Sequence, residues 1–466
     1  MIGIPEETAD RIELRDGRQL GYAEWGDSAG GPLLFFHGWP GSRLEGRLGD
    51  EAAKACRIRL MGLGSALYVT GSWLHTEGEL GMARGLSSVS AVNEEMNEPF
   101  DVAIIGGGQA GLAMGYYLRE QGRRFVIFER GDSVAPAWRE RWDSLKLFTP
   151  RGYSALPELP FPGDPDDYPT RDEVIAYLER YAETFELPIE LNSDVRRLSA
   201  SDGRFVLELH GRTITSNQVV VATGPFQTPY VPKIAESLEP GVWRAHSTGY
   251  RRPSDVAEGT VLVVGGGNTG FQIAKELSAT HKVVLSVGSK QKPLPQRIAG
   301  RDIFWWLTKT HLLFTNVESR LGSKLQYRDT LIGSSPRELT RSGVELKPRA
   351  TSASGRTVSF DDGGELEVDA VIWATGYRPD YSWIDAPVLD ANARLRHRRG
   401  VTAVPGLYFL GLTWQWTRGS ALIGWVKDDA AFLVERIAAM QEGKRQAVSQ
   451  SAPEAAGAGA AARKEG

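Results

Sequence analysis

DVAIIGGGQAGLAMGYYLREQG, residues 101–122, is the stretch on which the fold turns. An apolar run suited to a buried strand leads into GGGQAG and then into a helical pattern. Gly106, Gly108 and Gly111 supply G-x-G-x-x-G at the turn. With no side chains there, backbone can approach a pyrophosphate at the helix N-terminus, where unpaired amides and the dipole favour an anion. The next apolar strand, FVIFE, ends in Glu129, 23 residues beyond Gly106. A carboxylate at that place accepts the hydroxyls of an adenosine ribose. Strand, glycine turn, helix and acid in this order predict a dinucleotide-binding unit.

The pattern returns in TVLVVGGGNTGFQIAKELSAT, residues 260–280, with Gly265, Gly267 and Gly270. Here the position 23 residues beyond the first glycine holds Gly288, so no carboxylate opposes a 2′-phosphate. Ser289 and Lys290 follow at once and Lys292 is close by, a set suited to phosphate oxygens. FAD is therefore expected at the first turn and NADPH at the second; the other reading of the two lysines is a solvated loop edge. VVVATG, ending at Gly224, and VIWATGYRP, from Val371, each close an apolar strand with a turn that permits close crossing of chain and cofactor. The fold class expected is α/β, two Rossmann-like domains with the NADPH domain inserted in the FAD domain. The boundaries expected are 99–225 for the first part of the FAD domain, 226–370 for the NADPH domain and 371–445 for the rest of the FAD domain. Residues 446–466, rich in Ala, Gly, Ser and Lys, are expected to be disordered. Thr170 and Glu173 form a capping box before a helix with Val174, Ile175, Leu178 and Tyr181 on one face.

Composition narrows the function classes. Glycine is in excess, 53 of 466 residues against a usual share of about 7%. Lysine and arginine number 54 against 58 acidic residues, a net charge of −4, which carries no nucleic-acid footprint. Cys56 is the only cysteine, so there is no CxxC pair for zinc or for dithiol exchange, and a disulfide reductase is excluded. No metal site is expected. The first residues, MIGIPEETAD, lack a secretory pattern, and no run approaches the ~18 apolar residues of a membrane span, so a soluble cytoplasmic protein is expected.

Residues 99 to about 440 resemble the flavin-containing monooxygenases, on the side of the plant YUCCA-like enzymes and their bacterial relatives. The carriers are GGGQAG (106–111), WRERWDSLKLFTP (138–150), GVWRAHSTGY (241–250), GGGNTG (265–270) and ATGY (374–377). The family motif F-x-G-x-x-x-H-x-x-x-F/Y is met by His246 and Tyr250, while Gly241 stands one residue too far upstream and no Phe precedes it. Baeyer–Villiger relatives carry Trp-Pro where this chain has Tyr250 and Arg251, and amine-oxidising members carry Asn where it has Phe148. The resemblance implies that NADPH reduces FAD, that O2 adds to give a flavin C4a-hydroperoxide, and that one oxygen atom passes to a small apolar or aromatic substrate. It implies Trp138, Arg139 and Thr149 along FAD, Gly411 near its polyol chain, and a helix after Gly419 aimed at the pyrimidine edge of the ring. Asn268 and Thr269 would touch phosphate on the nicotinamide side. His246 is either a catalytic group or a histidine that orders the two domains. RDIFWWLTKTHLLF, 301–314, reads as helical core packing or as a lid or apolar entrance, and LTWQWTRGS, 412–420, as pocket wall.

Residues 1–60 resemble the opening strands of an α/β-hydrolase, with HGWPGSR, 37–43, in the place of an oxyanion loop. The G-x-S-x-G of GDSAG, 26–30, precedes that loop, whereas a nucleophile elbow follows it, so Ser28 is read as a turn residue. Residues 61–98 read as a linker. The front segment is either a fusion remnant or the product of an upstream start. Two other functions stand beside monooxygenation as alternatives: a non-catalytic NADPH/FAD redox-sensing module and a bifunctional hydrolase-oxygenase.

Overall fold

The computed structural model describes Asp10–Glu13, Gln19–Gly26, Gly31–Phe35, Lys54, Ile58–Leu63 and residues 98–451 apart from 202, 290, 291 and 327–329. The chain divides into two units, Met1–Val92 and Asn93–Gly466. In the first, four strands lie in the order Asp10–Glu13, Gln19–Gly26, Ile58–Leu63, Gly31–Phe35. Only the last pair is parallel. Ile58–Leu63 is a full member of this sheet, so the boundary drawn at residue 60 cuts a strand. Ser28, residues 37–43 and Cys56 lie outside the described residues.

The second unit contains two sheets of similar plan. Leu407–Phe409, Arg212–Val221, Phe100–Ile105, Phe125–Phe128 and Ile189–Glu190 run parallel in that order. Arg212–Val221 is long enough to leave this layer and pair antiparallel with Arg204–Leu209, which pairs in turn with Arg197–Ser201. Both faces are covered, which explains the unbroken apolar runs. Val102, Ile104 and Ile127 pack on one side with the helices Gln109–Glu120 and Arg171–Thr184. Ala103, Ile105, Val126 and Phe128 pack on the other. The capping box at Thr170 forms as expected, and Val174, Ile175, Leu178 and Tyr181 are buried.

The other sheet places Trp243–His246, Ala370–Trp373, Thr260–Val264, Lys282–Ser286 and Glu345–Lys347 in parallel order. A meander of Ala350–Ser354, Thr357–Phe360 and Glu365–Glu367 attaches beside it. The boundary drawn between 370 and 371 needs correction, because Ala370–Trp373 is hydrogen-bonded on both sides within this sheet. The chain crosses between sheets at Thr228–Pro229 and returns at Tyr377–Arg378, and these two short strands pair with each other. At the C-terminus the helix Val426–Ser451 extends past residue 446, where disorder was expected to begin; residues 452–466 lie outside the described residues. Among the described residues no helix is long and apolar enough to cross a membrane.

Candidate functional site: two dinucleotide cradles and an aromatic box

Each glycine fingerprint is locked against an Ala-Thr-Gly turn. Gly106 has φ +114°, and a Cβ on it would stand 2.6 Å from the Ala222 carbonyl oxygen. Gly265 has φ +134°, and its Cβ would stand 2.1 Å from the Ala374 oxygen. The third glycines serve the crossing of helix on turn, since a Cβ on Gly111 or Gly270 would come within 2.0 Å or 1.9 Å of the first glycine's oxygen. The middle glycines differ. A Cβ on Gly108 or Gly267 would meet nothing within 4 Å, so these two positions face open space. Gly108 and Gly267 are also the N-caps of their helices, and neither helix has a side-chain cap. By contrast Thr170, Asp302 and Ser335 cap the helices that follow them. The amides at the two fingerprints are thus left for a ligand.

In the first cradle Glu129 is buried, and its carboxylate accepts from the backbone N–H of Gly107 at 2.7 Å and of Gly131 at 2.9 Å. Trp138 donates its indole N–H to Gln109 Oε1 at 3.1 Å, which brings the ring to the start of the helix. Gly411 has φ +84°, and a Cβ there would lie 2.8 Å from Cβ of Ala110, so it too reaches that turn. The Thr149 side chain is buried and accepts from the Ser154 hydroxyl at 3.0 Å. Arg139 does not join them, because its guanidinium is paired with Glu179. The helix expected directly after Gly419 begins at Val426, and Asp428 and Asp429 occupy its own first turn. Arg399 binds Asp429 at 2.8 Å, and burial raises the carboxyl of Asp428 above the usual range.

In the second cradle Asn268 Oδ1 accepts from the backbone N–H of Ile332 at 3.0 Å, which ties the helix start to the neighbouring segment. Thr269 beside it is partly buried. Ser289 is exposed, and Lys290 lies outside the described residues. A cation not read from the sequence stands here: Arg349 donates to the Gly288 carbonyl at 3.1 Å, and a Cβ on Gly288 would be 3.2 Å from its Nη2. Parallel pairing of Glu345–Lys347 with Lys282–Ser286 carries Arg349 there. No motif spacing could announce it, since it is 61 residues from Gly288.

The crossing strands hold His246. The Thr248 N–H points at Nδ1 (3.3 Å), so the proton resides on Nε2, which donates to the Gly376 carbonyl at 3.0 Å. Burial lowers the His246 pKa, and the Arg141 charge adds to that while the Gly376 bond opposes it. Arg141 binds the Tyr377 hydroxyl and lies 5.1 Å from the ring centre of Phe226.

The segment 301–314 divides between its two readings. Ile303, Phe304 and Leu313 are buried with Trp425, while Leu312 and Phe314 are exposed. Phe304 stacks on Phe148 at 6.1 Å and on Trp425 at 5.6 Å, and Trp425 stacks on Tyr153 at 5.8 Å. This aromatic box joins the segment after Trp138 to the one after Gly411. Beside it a cavity of about 230 Å³ is lined by Tyr153, Phe314, Trp425, Lys427 and Asp428 among others.

The model of the pyridine nucleotide-disulphide oxidoreductase family matches residues 103–298. A CzcO-like oxidoreductase of Geobacillus kaustophilus is 48% identical over 345 residues, covering 73% of this chain and 99% of the relative. A probable indole-3-pyruvate monooxygenase of Arabidopsis thaliana, YUCCA1, is 30% identical over 360 residues, covering 68% and 86%. The solved flavin-containing monooxygenase from Stenotrophomonas maltophilia superposes with a TM-score of 0.63 at 29% identity, covering 73% of this chain and 99% of that one. The chain belongs to the flavin-containing monooxygenase family. Like other members of the family it is a flavin-dependent oxidoreductase, and FAD and NADPH are its cofactors. The two uncapped helices and the open space at Gly108 and Gly267 fit a pair of pyrophosphates.

Proposed function

We propose that FAD occupies the cradle of Gly106, Gly108 and Gly111 and NADPH that of Gly265, Gly267 and Gly270, and that the protein transfers one atom of O2 to a small apolar or aromatic molecule. FAD, when bound, supplies hydride acceptance from NADPH and activation of O2; one oxygen atom enters the substrate and the other leaves as water. The observation that carries the assignment is the difference in the adenosine ends, a buried carboxylate in one and a guanidinium in the other. Glu129 suits two ribose hydroxyls, since each carboxylate oxygen already held by a backbone N–H retains a second lone pair. Arg349, with Ser289, Lys290 and Lys292, suits a 2′-phosphate. Trp138, Thr149 and Gly411 line the FAD side, and Asn268 and Thr269 orient phosphate at the second helix. His246 acts as a positioning residue, since both ring nitrogens are engaged by Thr248 and Gly376 at the crossing between sheets.

Phe148, Phe304, Trp425 and Tyr153 supply a dry aromatic wall, which favours an aromatic or apolar substrate and excludes water from the reacting centre. The relatives named as probable indole-3-pyruvate monooxygenases make an aromatic 2-oxo acid the first class to assay. The test is a yellow holoprotein that consumes O2 and NADPH, with product rather than peroxide rising when substrate is supplied. Protein purified with FAD present yet carrying none would overturn the proposal, and so would bound FAD that NADPH cannot reduce.

A further inference from the structure

The aromatic box is assembled from two sides. Phe148 and Tyr153 come from the segment after Trp138 and Trp425 from the one after Gly411, whereas Phe304 belongs to the helix Ile303–Lys309, which follows the second cradle in the chain. That helix is tied to the second cradle through Ile332, which is buried beside Phe304, lies in a strand paired with Pro293–Leu294, and gives its N–H to Asn268. Asp302 fastens the other side. It is buried, and its Oδ2 accepts from the Tyr168 hydroxyl at 2.5 Å and from Gln296 Nε2 at 2.8 Å, while Oδ1 accepts from the Phe304 N–H at 2.8 Å. Gln296 Nε2 also donates to the Phe148 carbonyl at 3.0 Å, so both of its amide hydrogens are committed across the junction. Phe148 and Tyr168 lie on neighbouring stretches of chain, joined by the Leu147 N–H and the Pro169 carbonyl at 2.9 Å. Burial and the bond to Asp302 push the Tyr168 pKa up to about 12, which keeps its hydroxyl a donor. An amide does not replace this carboxylate: turned either way, Asn would set its NH2 against the Gln296 amide or against the Phe304 N–H.

We propose that Asp302 is a positioning residue for oxygen transfer, holding Phe304 against Phe148 and Trp425 so that the box stays closed to water. The inference rests on the oxygen-transfer reading given above. A closed, dry wall keeps water and its protons from the reacting centre. Where the wall opens, two electrons from NADPH and two protons reduce O2 to H2O2, and no oxygen atom enters a substrate. Tyr168 and Gln296 act in the same sense through Asp302, one from each side of the junction.

The experiment compares the FAD-loaded parent with Tyr168→Phe, Asp302→Asn and Asp302→Ala, with NADPH and O2 as the only reactants. Hydrogen exchange of the amides at 303–309 reads the fastening without turnover, and the rate of peroxide release reads the access of water. Exchange there is expected to rise about tenfold in Tyr168→Phe, which loses one bond to a charged group, and further in the Asp302 variants. The helices at the cradles, Gln109–Glu120 and Asn268–Leu277, should exchange as in the parent. Peroxide release should rise severalfold while flavin content and the KM for NADPH stay unchanged. Adding Tyr168→Phe to Asp302→Ala should change neither readout further, because the partner of the hydroxyl is already gone. Unchanged exchange at 303–309 overturns the proposal, as do additive effects in the double variant and faster exchange without more peroxide. A KM for NADPH that rises with the peroxide also overturns it, since the second cradle itself would then have loosened. A parent whose FAD is not reduced by NADPH overturns the oxygen-transfer reading instead, and the exchange at 303–309 still decides whether Asp302 fastens the box.

Discussion

The cradle at residues 106–111 closes on a carboxylate, and the one at 265–270 closes beside a guanidinium. Up to that point the two are built alike: a buried parallel strand, a first glycine with positive φ pressed on an Ala-Thr-Gly turn, an open middle glycine and an uncapped helix. Within each fingerprint the three glycines do different work. The first and third exist because backbone meets backbone there, whereas the middle one leaves room for something that is not protein. The proposed cofactor preference lies outside the fingerprints, after the next strand: the register puts Glu129 there in the first sheet and Val287 in the second, so Gly288, 23 residues beyond Gly265, stands one place further along than the spacing predicts.

Substitutions separate these layers, and the largest effect is expected at the first glycine. Gly106→Ala puts a Cβ 2.6 Å from the Ala222 oxygen at a φ that L residues rarely adopt. Such strain costs about 3 kcal/mol or more, so soluble yield and the denaturant midpoint should both fall sharply. An unchanged midpoint would show that the turn can relax, and would remove the packing argument from both cradles. Next come the middle glycines, where a methyl group meets open space and the fold should survive. Gly108→Ala is expected to weaken FAD retention by about tenfold or more, since binding energy spent on a close pyrophosphate falls with each lost amide contact. In Gly267→Ala flavin content should stay at the parent level while the KM for NADPH rises by a similar factor. If the two substitutions gave the same phenotype, the assignment of one cofactor to each cradle would be wrong.

A smaller shift is expected at the adenosine end. Arg349→Ala removes a guanidinium from beside Gly288, and should lower the ratio of kcat/KM for NADPH over NADH by about five- to tenfold. Adding Gly288→Asp should lower it further by placing a carboxylate near the 2′ position; a ratio that stays constant in both variants assigns the 2′-phosphate elsewhere. The smallest effect concerns the crossing. His246 is buried with a lowered pKa, so the folded protein takes up its proton less readily than the unfolded chain does. Above the ordinary histidine pKa of about 6.5 the ring is neutral in both states and no stability depends on it. Below that pH the unfolded chain binds the proton first, and stability falls as pH drops toward the folded pKa. His397, also lowered by burial, adds to the same slope. His246→Asn should flatten the decline in Tm between neutral and mildly acidic pH; an unaltered slope would show that the ring is not held neutral.

Much of the comparison was legible in the sequence because it rests on local geometry. A glycine with positive φ, an apolar strand and a helix start are set by neighbours a few residues away, so Gly106, Gly265 and the capping box at Thr170 could be read directly. Boundaries were less legible. The run VIWATG looked like the return to the first domain, yet Ala370–Trp373 pairs in the second sheet, because an apolar parallel strand carries no mark of which sheet will take it. The alternation of aromatic and apolar residues in 301–314 fitted core and surface alike, and only the partners Phe148, Tyr153 and Trp425 show which rings turn inward.

By itself the sequence announced two dinucleotide fingerprints, at 106–111 and 265–270, and a single cysteine, which leaves no pair within these residues for dithiol exchange. Those conclusions follow from spacing along the backbone, which covalent geometry transmits over a strand, a turn and a helix. Tertiary structure alone decided that Arg349 stands at Gly288, that Arg139 is committed to Glu179, that His246 bonds the Gly376 carbonyl, and that four rings from three segments form one box. Each of these joins residues dozens to more than a hundred positions apart. Such contacts arise only when sheets pair and faces pack, and neither step leaves a period or a spacing in the chain.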